Sequence, residues 1–371
     1  MVDPASIPPK TDGFTVGREG GTEVLLPPHA EGQRGPARRT VPFFNPAMAL
    51  SRDLTVALVA AEARRRGRRL SVWDAHAASG IRGLRLLSET SAVERLLSTD
   101  EHPAACELTR QNAEREGSGR MEVKAHDSRQ APSGQFDWVD IDPFGTPVPF
   151  LHAGVEATAD GGILAVTATD MAVLAGPETR TCLERYGART IRGYLSREGA
   201  LRILLAQIAR EAAGLQKEVY PLVSLISGYF VRVHVRVSPT GASPVDPAGL
   251  GPVPFPGYDG PPLPGKAPYG PMWRGHLQDR DLLGRVMESP PATIGPAARR
   301  TLELLQGEAE VDTLFYYETG PYSRRLHLSS PPAHRVILET IRAAGYRAVR
   351  THAAPSGWRT DAPSKVMEGL F

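Results

Sequence analysis

Hydrophobic positions in the first two thirds of the chain follow two alternating periods. Short apolar runs rich in β-branched and aromatic residues predict buried strands. Stretches with a 3.6-residue period predict the helices between them. The strands lie at residues 70–76, 92–99, 121–125, 138–141 and 162–170, and the helices at 84–90, 103–116 and 147–159. Because strands and helices alternate, we expect a doubly wound α/β fold with a mainly parallel sheet.

Two more helices and a strand pair extend this pattern. The helices are predicted at residues 178–187 and 197–213, and residues 218–237 form an apolar strand pair broken at Gly228. From Phe230 onward, hydrophobic and polar residues alternate strictly, which is typical of a half-exposed edge strand. The sequence therefore predicts a seven-stranded sheet whose last strand runs antiparallel.

Each of the five predicted parallel strands carries an aspartate at or near its carboxyl end. These residues are Asp74, Asp100, Asp127, Asp142 and Asp170. Ligands of open α/β sheets bind at this edge. A single aspartate here is ordinary capping chemistry, but five along one edge favour a nucleotide-type cofactor.

The turn after the first strand, residues 77–83, reads AASGIRG and leads into a helix. Such a turn suits a nucleotide cofactor, although its glycine spacing is a poor fit for a pyrophosphate. Asp100 follows the glycine turn by about 20 residues and is placed to bind ribose hydroxyls. Asp127 is placed to accept an adenine amino group. Asp100 also suits the N-cap of the next helix, and the two roles are compatible.

Residues 139–145, with the sequence VDIDPFG, are the centre of the predicted site. Pro143 cannot continue a sheet ladder, so Asp142 lies where the strand ends. Its carboxylate is placed to accept hydrogens from an exocyclic amine, and Phe144 to stack on a flat base. An aspartate that caps a turn is the alternative, and this short motif alone does not decide between the two.

An Asn-Pro pair at residues 45–46 predicts the start of a helix, and Gly67 predicts its end. Phe43 and Phe44 come directly before this start. They act either as a hydrophobic anchor for the helix or as ligand contacts, and both interpretations stay open.

Composition and charge limit the class of protein. Hydrophobic residues make up 41% of the 371 residues and charged residues 23%, as in ordinary globular proteins. The net charge of +2 means that any binding of nucleic acid depends on a local patch. No apolar run predicts a signal peptide or a membrane span, so we expect a cytoplasmic protein that does not bind a membrane.

The chain length favours more than one domain. We expect an irregular basic arm at 1–40, carrying Arg34, Arg38 and Arg39 and a hairpin edge near 19–26. A cofactor-binding domain at 41–237, a Pro- and Gly-rich linker at 238–268 and a smaller C-terminal α+β domain at 269–371 follow.

The C-terminal domain is predicted to hold short, mixed elements. Helices are expected at residues 279–289, 296–307 and 332–344, and strands at 313–317 and 347–351. Aromatic and basic residues interleave there, a composition that fits RNA contact. They are Tyr316, Tyr317, Tyr322, Arg324, Arg325 and Arg359. Core tyrosines beside surface arginines are the alternative interpretation.

Several longer motifs resemble the tRNA guanine-26 N2-dimethyltransferase family, and they run in family order across nearly the whole chain. They are residues 43–53 (FFNPAMALSRD), 79–83 (SGIRG), 140–145 (DIDPFG), 166–170 (VTATD), 182–187 (CLERYG), 269–273 (YGPMW), 350–352 (RTH) and 360–363 (TDAP). The resemblance implies a class I, Rossmann-like methyltransferase. Its substrate would be tRNA, and its cofactor S-adenosyl-L-methionine.

The resemblance also implies roles for individual residues. Asp142 would be catalytic, and Phe144 and Phe43 would flank a guanine base extruded from the RNA. The cofactor would be held by the residues of the strand ends, the glycine turn and the helix that follows Asn45. These residues are Arg52, Asp74, Gly80, Arg82, Asp100, Asp127 and Ser128.

The chain departs from the family in its cysteines. Many members carry four cysteines for zinc near the domain junction, whereas this chain has only Cys106 and Cys182, so we expect no metal. Its basic surface is modest, which leaves the mode of tRNA docking open. A methyltransferase for another nucleobase amine and a non-catalytic RNA-binding relative are the alternative functions. No obligate protein partner is expected.

Overall fold

The computed structural model describes residues 13–26, 43–117, 119–241, 250–265, 268–311 and 313–370. Its strands are β1 (Thr15–Glu19), β2 (Thr22–Leu26), β3 (Leu70–Asp74), β4 (Val93–Asp100), β5 (Met121–Ala125), β6 (Phe136–Ile141), β7 (Thr158–Ala168), β8 (Lys217–Ser227), β9 (Phe230–Pro239), β10 (Leu250–Val253), β11 (Tyr269–Trp273), β12 (Tyr317–Glu318), β13 (Ala348–Arg350) and β14 (Gly357–Thr360).

The helices of the described residues lie between and after these strands. They are α1 (Ala49–Arg66), α2 (Ile81–Glu89), α3 (Pro103–Arg115), α4 (Leu151–Ala157), α5 (Met171–Leu174), α6 (Thr179–Tyr186), α7 (Ser196–Gly214), α8 (Arg280–Glu288), α9 (Pro296–Ala309), α10 (Thr319–Arg325), α11 (His334–Ala343) and α12 (Ser364–Gly369). Short 3-10 turns precede α1, α4 and α7, at Pro46–Met48, Val148–Phe150 and Gly193–Leu195.

The central feature is a seven-stranded sheet with the order β5-β4-β3-β6-β7-β9-β8. The five strands from β5 to β7 pair in parallel, and β8 pairs with β9 in antiparallel orientation. This arrangement confirms the predicted doubly wound sheet. Parallel strands joined by crossovers place their carboxyl ends at one edge of the sheet. The edge therefore gathers the loops that follow β3, β4, β5, β6 and β7.

The strands at the centre of the sheet form because both of their faces are apolar. Trp73 in β3 and Trp138 and Val139 in β6 are fully buried, as expected for parallel strands covered by helices on both sides. The register aligns Asp74 with Asp140 and Ile141 with Val166. These alignments fix which strand-end residues are neighbours.

Local sequence signals account for the boundaries of α1. The Asn45 side chain accepts a hydrogen bond from the Ala47 N–H at 3.0 Å and caps the 3-10 turn that leads into the helix. At the other end, Gly67 adopts a left-handed conformation with φ of 64°. Both features were predicted from the sequence.

The N-terminal hairpin is more regular than the sequence indicated. β1 and β2 pair in antiparallel orientation, and Val24 and Leu26 pack against Ile81 and Leu84 of α2. The basic residues Arg34, Arg38 and Arg39 lie outside the described residues.

Two compact units make up the chain. One comprises Met1–Val166 and Arg285–Arg299, and the other Thr167–Gly284 and Arg300–Phe371. The domain boundaries inferred from composition, at residues 40, 237 and 268, stay a prediction.

The aromatic residues of the C-terminal segment form a small core in the second unit. Trp358 is fully buried, stacks on Tyr317 with ring centroids 5.7 Å apart, and meets Tyr322 edge to face at 5.4 Å. Tyr316 and Arg359 are also buried. RNA contact was therefore wrong for the three tyrosines and Arg359, whose side chains face the protein interior, and the alternative of core tyrosines is the one observed. Arg324 and Arg325 are exposed, and RNA contact by them stays a prediction.

The strand predicted at residues 313–317 was also largely wrong, since only Tyr317 and Glu318 pair with a neighbouring strand. Phe315 adopts a left-handed conformation with φ of 65°, which interrupts an extended run. The apolar character of this stretch reflects its burial rather than strand geometry.

A buried ion network lies within the second unit. Arg359 of β14 donates to Glu198 of α7 at 2.8 Å and to Glu308 of α9 at 3.1 Å. Glu198 also accepts from Arg202 at 2.8 Å, and Glu308 accepts from His352 Nδ1 at 2.7 Å. Each buried carboxylate thus has a cationic or polar partner, as burial of charge requires.

Candidate active site

Asp142 stands directly after the buried strand β6. Pro143 ends the ladder, and Gly145 adopts a φ of +78° that turns the chain toward α4. About one seventh of the Asp142 side chain is accessible (15%), so the carboxylate lies at the carboxyl edge and can be reached by a ligand. This position agrees with the prediction from the VDIDPFG motif.

Arg82, on the first turn of α2, holds this carboxylate. Its guanidinium forms an ion pair with Asp142 Oδ2, lies 3.5 Å from Asp140 Oδ2, and donates to Thr55 Oγ1 at 2.9 Å. Burial opposes the charged guanidinium, but the carboxylates of Asp140 and Asp142 outweigh it and raise the pKa of Arg82. The arginine is therefore a fixed positive charge beside Asp142. Oδ1 of Asp142 makes no hydrogen bond to any described residue.

His76 is a neighbour of Asp142 that the sequence did not single out. Its Nδ1 accepts a hydrogen bond from the Asp142 backbone N–H at 3.4 Å, and its ring meets Phe150 edge to face at 4.6 Å. Burial lowers the pKa of His76 to about 4, although Asp142 and Asp140 oppose this shift. The ring is thus neutral at neutral pH, with the proton on Nε2. No local signal in the sequence identifies it, because its partner is a backbone N–H that lies 66 residues away along the chain.

Two phenylalanine rings flank the Asp142 loop. Phe43 and Phe144 meet edge to face, with centroids 4.7 Å apart and an interplanar angle of 77°. Phe144 is 60% exposed, which is unusual for a ring of this size. The sequence left the role of Phe43 open, and the structure brings it to the ring predicted to stack on a base.

The glycine turn after β3 is shaped by Gly80. This residue caps α2 with a φ of +78°, and a Cβ atom there would lie 2.8 Å from Thr109 Cγ2. The turn is tied to the neighbouring strands, since the Ala75 N–H donates to Asp140 O at 3.0 Å and the Ala77 N–H to Thr99 O at 2.9 Å. Only glycine fits here without strain.

Asp100 joins the turn to the end of β4. Its Oδ2 accepts from the Ala78 N–H at 3.0 Å and its Oδ1 from the His102 N–H at 2.9 Å. Burial raises the pKa of Asp100 in spite of these bonds. The N-cap of α3 is His102, and its side chain makes no capping hydrogen bond, so the N-cap role anticipated for Asp100 was wrong. Asp100 instead satisfies the backbone N–H of His102.

Asp127 and Ser128 follow β5. Asp127 is partly exposed and bound by the Arg129 side chain at 2.7 to 3.0 Å, and these hydrogen bonds lower its pKa to about 2. Ser128 is buried, and its Oγ donates to Ala75 O at 2.5 Å. Residues of the loop after β5 therefore reach the backbone that leads into the glycine turn.

The remaining strand-end aspartates have different surroundings. Asp74 is buried at the end of β3 beside Asp140. Asp170, after β7, accepts from the Tyr186 hydroxyl and from Arg185, each at 2.9 Å. Asp140 was not singled out from the sequence, although an aspartate within an otherwise apolar strand indicates a buried cationic partner.

Arg52 lies in a different setting from the one expected of a cofactor ligand. Its guanidinium forms two hydrogen bonds with Glu19 of β1, at 2.6 and 2.5 Å, and a third with Asn45 O at 2.9 Å. Arg85 also contacts Glu19, at 3.0 Å. The role of Arg52 in holding a cofactor stays a prediction.

The residues around the glycine turn fit a nucleoside cofactor. Ser79 Oγ and His76 Nε2 are buried and have no hydrogen-bond partner among the described residues. Unpaired buried polar atoms of this kind suit a polar ligand. Close approach of a ligand to backbone is possible at Gly80, and the carboxylates of Asp100 and Asp127 follow on adjacent strands. The set matches the donors and acceptors that an adenosine group requires.

A seven-stranded sheet with this order, this glycine turn and an Asp-Pro-aromatic loop after β6 defines the class I methyltransferase fold. The chain belongs to the family described as N2,N2-dimethylguanosine tRNA methyltransferase, which matches residues 29–248 and 265–370. The family predicted from the sequence motifs is thereby confirmed.

Relatives of known name resemble nearly the whole chain. The tRNA (guanine(26)-N(2))-dimethyltransferase of Methanothermobacter thermautotrophicus is 31% identical over 95% of this chain and 98% of its own length. The enzyme of that name from Thermococcus kodakarensis is 32% identical over 94% and 96%. Trm1 from Pyrococcus horikoshii, solved with S-adenosyl-L-methionine, aligns with a TM-score of 0.81 and 28% identity over 96% of this chain and 99% of its own.

Two further features bear on the class of protein. No helix in the described part of the chain is both long and apolar enough to cross a membrane. Among the same residues, no cluster of three or more His, Cys, Asp or Glu side chains is arranged to hold a metal ion.

Proposed function

We propose that this protein transfers methyl groups from S-adenosyl-L-methionine to the N2 amine of guanine 26 in tRNA. The products are N2-methylguanosine and N2,N2-dimethylguanosine. The observation that carries this proposal is the Asp142 loop, in which a carboxylate held by Arg82 lies beside two aromatic rings in a chain of this family.

Asp142 serves as the acceptor for the amine hydrogens. Its Oδ2 is engaged by Arg82, which leaves Oδ1 for a hydrogen bond from the N2 amine. As the nitrogen gains a methyl group it must lose a proton, and a carboxylate within hydrogen-bond reach accepts it. Arg82 and the His76 bond to the Asp142 amide keep the carboxylate in one orientation.

Phe144 and Phe43 position the base. A guanine within a folded tRNA must leave its stack before a methyl group can reach N2, and an aromatic surface compensates for the lost stacking. Phe144 offers such a surface because most of its ring is exposed. Phe43 braces it from the side.

Residues of the turn and strand ends hold the cofactor. Gly80 allows close approach to the backbone, Asp100 is placed for ribose hydroxyls, and Asp127 and Ser128 lie at the loop assigned to the adenine. Arg52, Arg82 and Asp74 complete the set predicted from the motifs. S-adenosyl-L-methionine, when bound, supplies an electrophilic methyl group on its sulfonium.

The partner of this site is tRNA, and the cytoplasm is the location we infer for a tRNA-modifying enzyme of this family. A matched pair of unmodified tRNA transcripts tests the proposal, one with G26 and one with A26. With labelled S-adenosyl-L-methionine, we expect incorporation into the G26 transcript and background levels in the A26 transcript. Equal labelling of both would indicate another nucleobase amine, and no labelling would indicate a non-catalytic RNA-binding relative.

A further inference from the structure

The segment from residue 178 to residue 197 concentrates positive charge on the surface of the second unit. It carries five exposed arginines, whereas its exposed acids are Glu178 and Glu184. The arginines are Arg180, Arg185, Arg189, Arg192 and Arg197, and we name them the arginine strip. The chain as a whole has a net charge of only +2, so this is a local patch.

Three arginines of the strip have no side-chain partner among the residues that the structure describes. Arg180 pairs with Glu184 and Arg185 with Asp170, at 2.8 and 2.9 Å. The side chains of Arg189, Arg192 and Arg197 form no hydrogen bond or ion pair with any residue that the structure describes. By contrast, Arg325, Arg335 and Arg347 of the C-terminal segment each pair with a carboxylate.

The backbone under these three arginines is fixed. The N–H and C=O of Arg189 both bond to Gly270, each at 2.8 Å, and its neighbours Ala188 and Thr190 are buried. Arg192 precedes the 3-10 turn Gly193–Leu195. The guanidinium groups therefore project from an ordered surface, which lowers the entropy cost of binding a partner.

Arg197 lies in the first turn of α7, where the helix dipole disfavours a positive charge. It therefore does not stabilise the helix that carries it. A binding partner of negative charge accounts for an arginine at this position.

The strip comes shortly after β7 in the chain. Val166 of β7 pairs with Ile141 of β6, the residue before Asp142, and Asp170 comes four residues after Val166. Arg185 and Tyr186 of α6 bind the Asp170 carboxylate. The strip is thus anchored to the loop that follows β7.

We propose that the arginine strip binds the phosphodiester backbone of the tRNA substrate. Guanidinium groups bind phosphate through paired hydrogen bonds, and such contacts position a nucleic acid without reading its sequence. From Arg189 to Arg197 the chain spans at most about 20 Å, given the rise of extended and 3-10 backbone, which is enough to meet several consecutive phosphates. The inference rests on the proposed function, because an enzyme that acts on tRNA requires a surface that binds tRNA.

The test is the triple variant R189Q/R192Q/R197Q in a filter-binding assay with unmodified tRNA transcript across a salt series. Each lost phosphate contact reduces the slope of log K against log salt by roughly 0.7 to 0.9. We expect the slope to fall by about two to three and the affinity at low salt to drop at least about tenfold. At saturating tRNA the turnover number should stay near that of the wild type, while KM for tRNA rises.

The matched control is R69Q/R110Q/R115Q, which removes the same charge from exposed arginines elsewhere. Arg69 lies at the opposite, amino-terminal edge of the sheet, and Arg110 and Arg115 lie on α3. This variant should keep the wild-type affinity and salt slope. Equal losses in both variants would show a general charge effect and overturn the proposal.

Folding is checked by thermal unfolding and by affinity for S-adenosyl-L-methionine, and the single variant R192Q serves if the triple variant unfolds. If a folded strip variant bound tRNA with unchanged affinity, the proposal would be overturned. An acidic protein would then be the alternative partner of the strip. Because tRNA binding is measured apart from methyl transfer, a wild-type protein that binds tRNA without methylating it would refute the proposed function alone.

Discussion

At the scale of single residues, the carboxylate of Asp142 is paired with a guanidinium from another element, helix α2. The role of Arg82 as a cofactor ligand stays a prediction, and its guanidinium binds Asp142 and lies near Asp140. That pairing depends on the register of β3 against β6, which no local pattern reveals. His76 was missed for the same reason, because its contact is with a backbone N–H that is distant in sequence.

Asp142→Asn should abolish most of the turnover. The amide is isosteric but no longer takes up a proton, and general bases of this kind contribute about 10²- to 10⁴-fold. We expect kcat to fall by at least about 100-fold and affinity for S-adenosyl-L-methionine, measured by calorimetry, to change little. The control is Asp160→Asn, which changes an exposed aspartate at the start of β7. It should leave both kcat and the affinity for S-adenosyl-L-methionine unchanged. Full activity of Asp142→Asn would exclude Asp142 as the proton acceptor.

Phe144→Ala should weaken the reaction without weakening the fold. Stacking of a base on an aromatic ring contributes about 1–3 kcal/mol, so kcat/KM for tRNA should fall by about 5- to 150-fold. The melting temperature should hold, since the ring is 60% exposed. Val336→Ala, another exposed apolar side chain, should leave kcat/KM unchanged. A drop in melting temperature instead of activity would assign Phe144 to structure alone.

At the scale of elements, two arrangements depend most strongly on particular residues. The turn from β3 to α2 requires the left-handed Gly80 conformation. The ion network of α7, α9 and β14 requires that Glu198, Glu308 and Arg359 meet within the second unit. The sequence predicted the turn from its small residues, but not the network, because its members are far apart along the chain.

Gly80→Ala tests the turn. An L-residue at a φ of +78° costs about 1–2 kcal/mol, and the new Cβ would also press on Thr109. We expect lower stability together with weaker binding of S-adenosyl-L-methionine, both read from thermal shift with and without the cofactor. Gly284→Ala in α8, where a Cβ meets no atom within 4 Å, should keep or slightly raise stability. Equal behaviour of the two variants would contradict the account of the turn.

The buried network predicts acid sensitivity. Burial by itself would raise the pKa of Glu308, but His352 and Arg359 outweigh it and hold the pKa at about 2. Since the folded pKa lies below the unfolded value of about 4.3, the stabilisation is present above that pH and is lost as the pH falls toward 2. On the order of 3 kcal/mol should disappear across this window.

Glu308→Gln should therefore be less stable than the wild type at neutral pH. Its unfolding free energy should also change less with pH between pH 4.5 and 2. Urea unfolding at stepped pH measures both quantities. Glu303→Gln, an exposed glutamate on the same helix, should reproduce the wild-type pH profile. If the unfolding free energy of Glu308→Gln fell with pH as steeply as that of the wild type, the acid-labile group would lie elsewhere.

At the scale of the whole molecule, the sequence predicted the seven-stranded sheet because its central strands are buried on both faces and read as continuous apolar runs. The same signal misled at residues 313–317, where an aromatic run is buried without being a strand. For Tyr317, Tyr322 and Arg359 the sequence left both a core and an RNA-contacting role open, since composition alone does not distinguish a core from a binding surface. Placement of charged residues depends on tertiary contacts, which explains why the arginine strip became visible only in the structure.

The reaction that we propose for this chain is methylation of one amine of one nucleotide. The most direct measurement is digestion of tRNA after reaction with labelled S-adenosyl-L-methionine, followed by mass identification and mapping of the modified nucleoside. We expect N2-methylguanosine and N2,N2-dimethylguanosine at position 26. Label on any other base or on a different guanine atom would contradict this proposal.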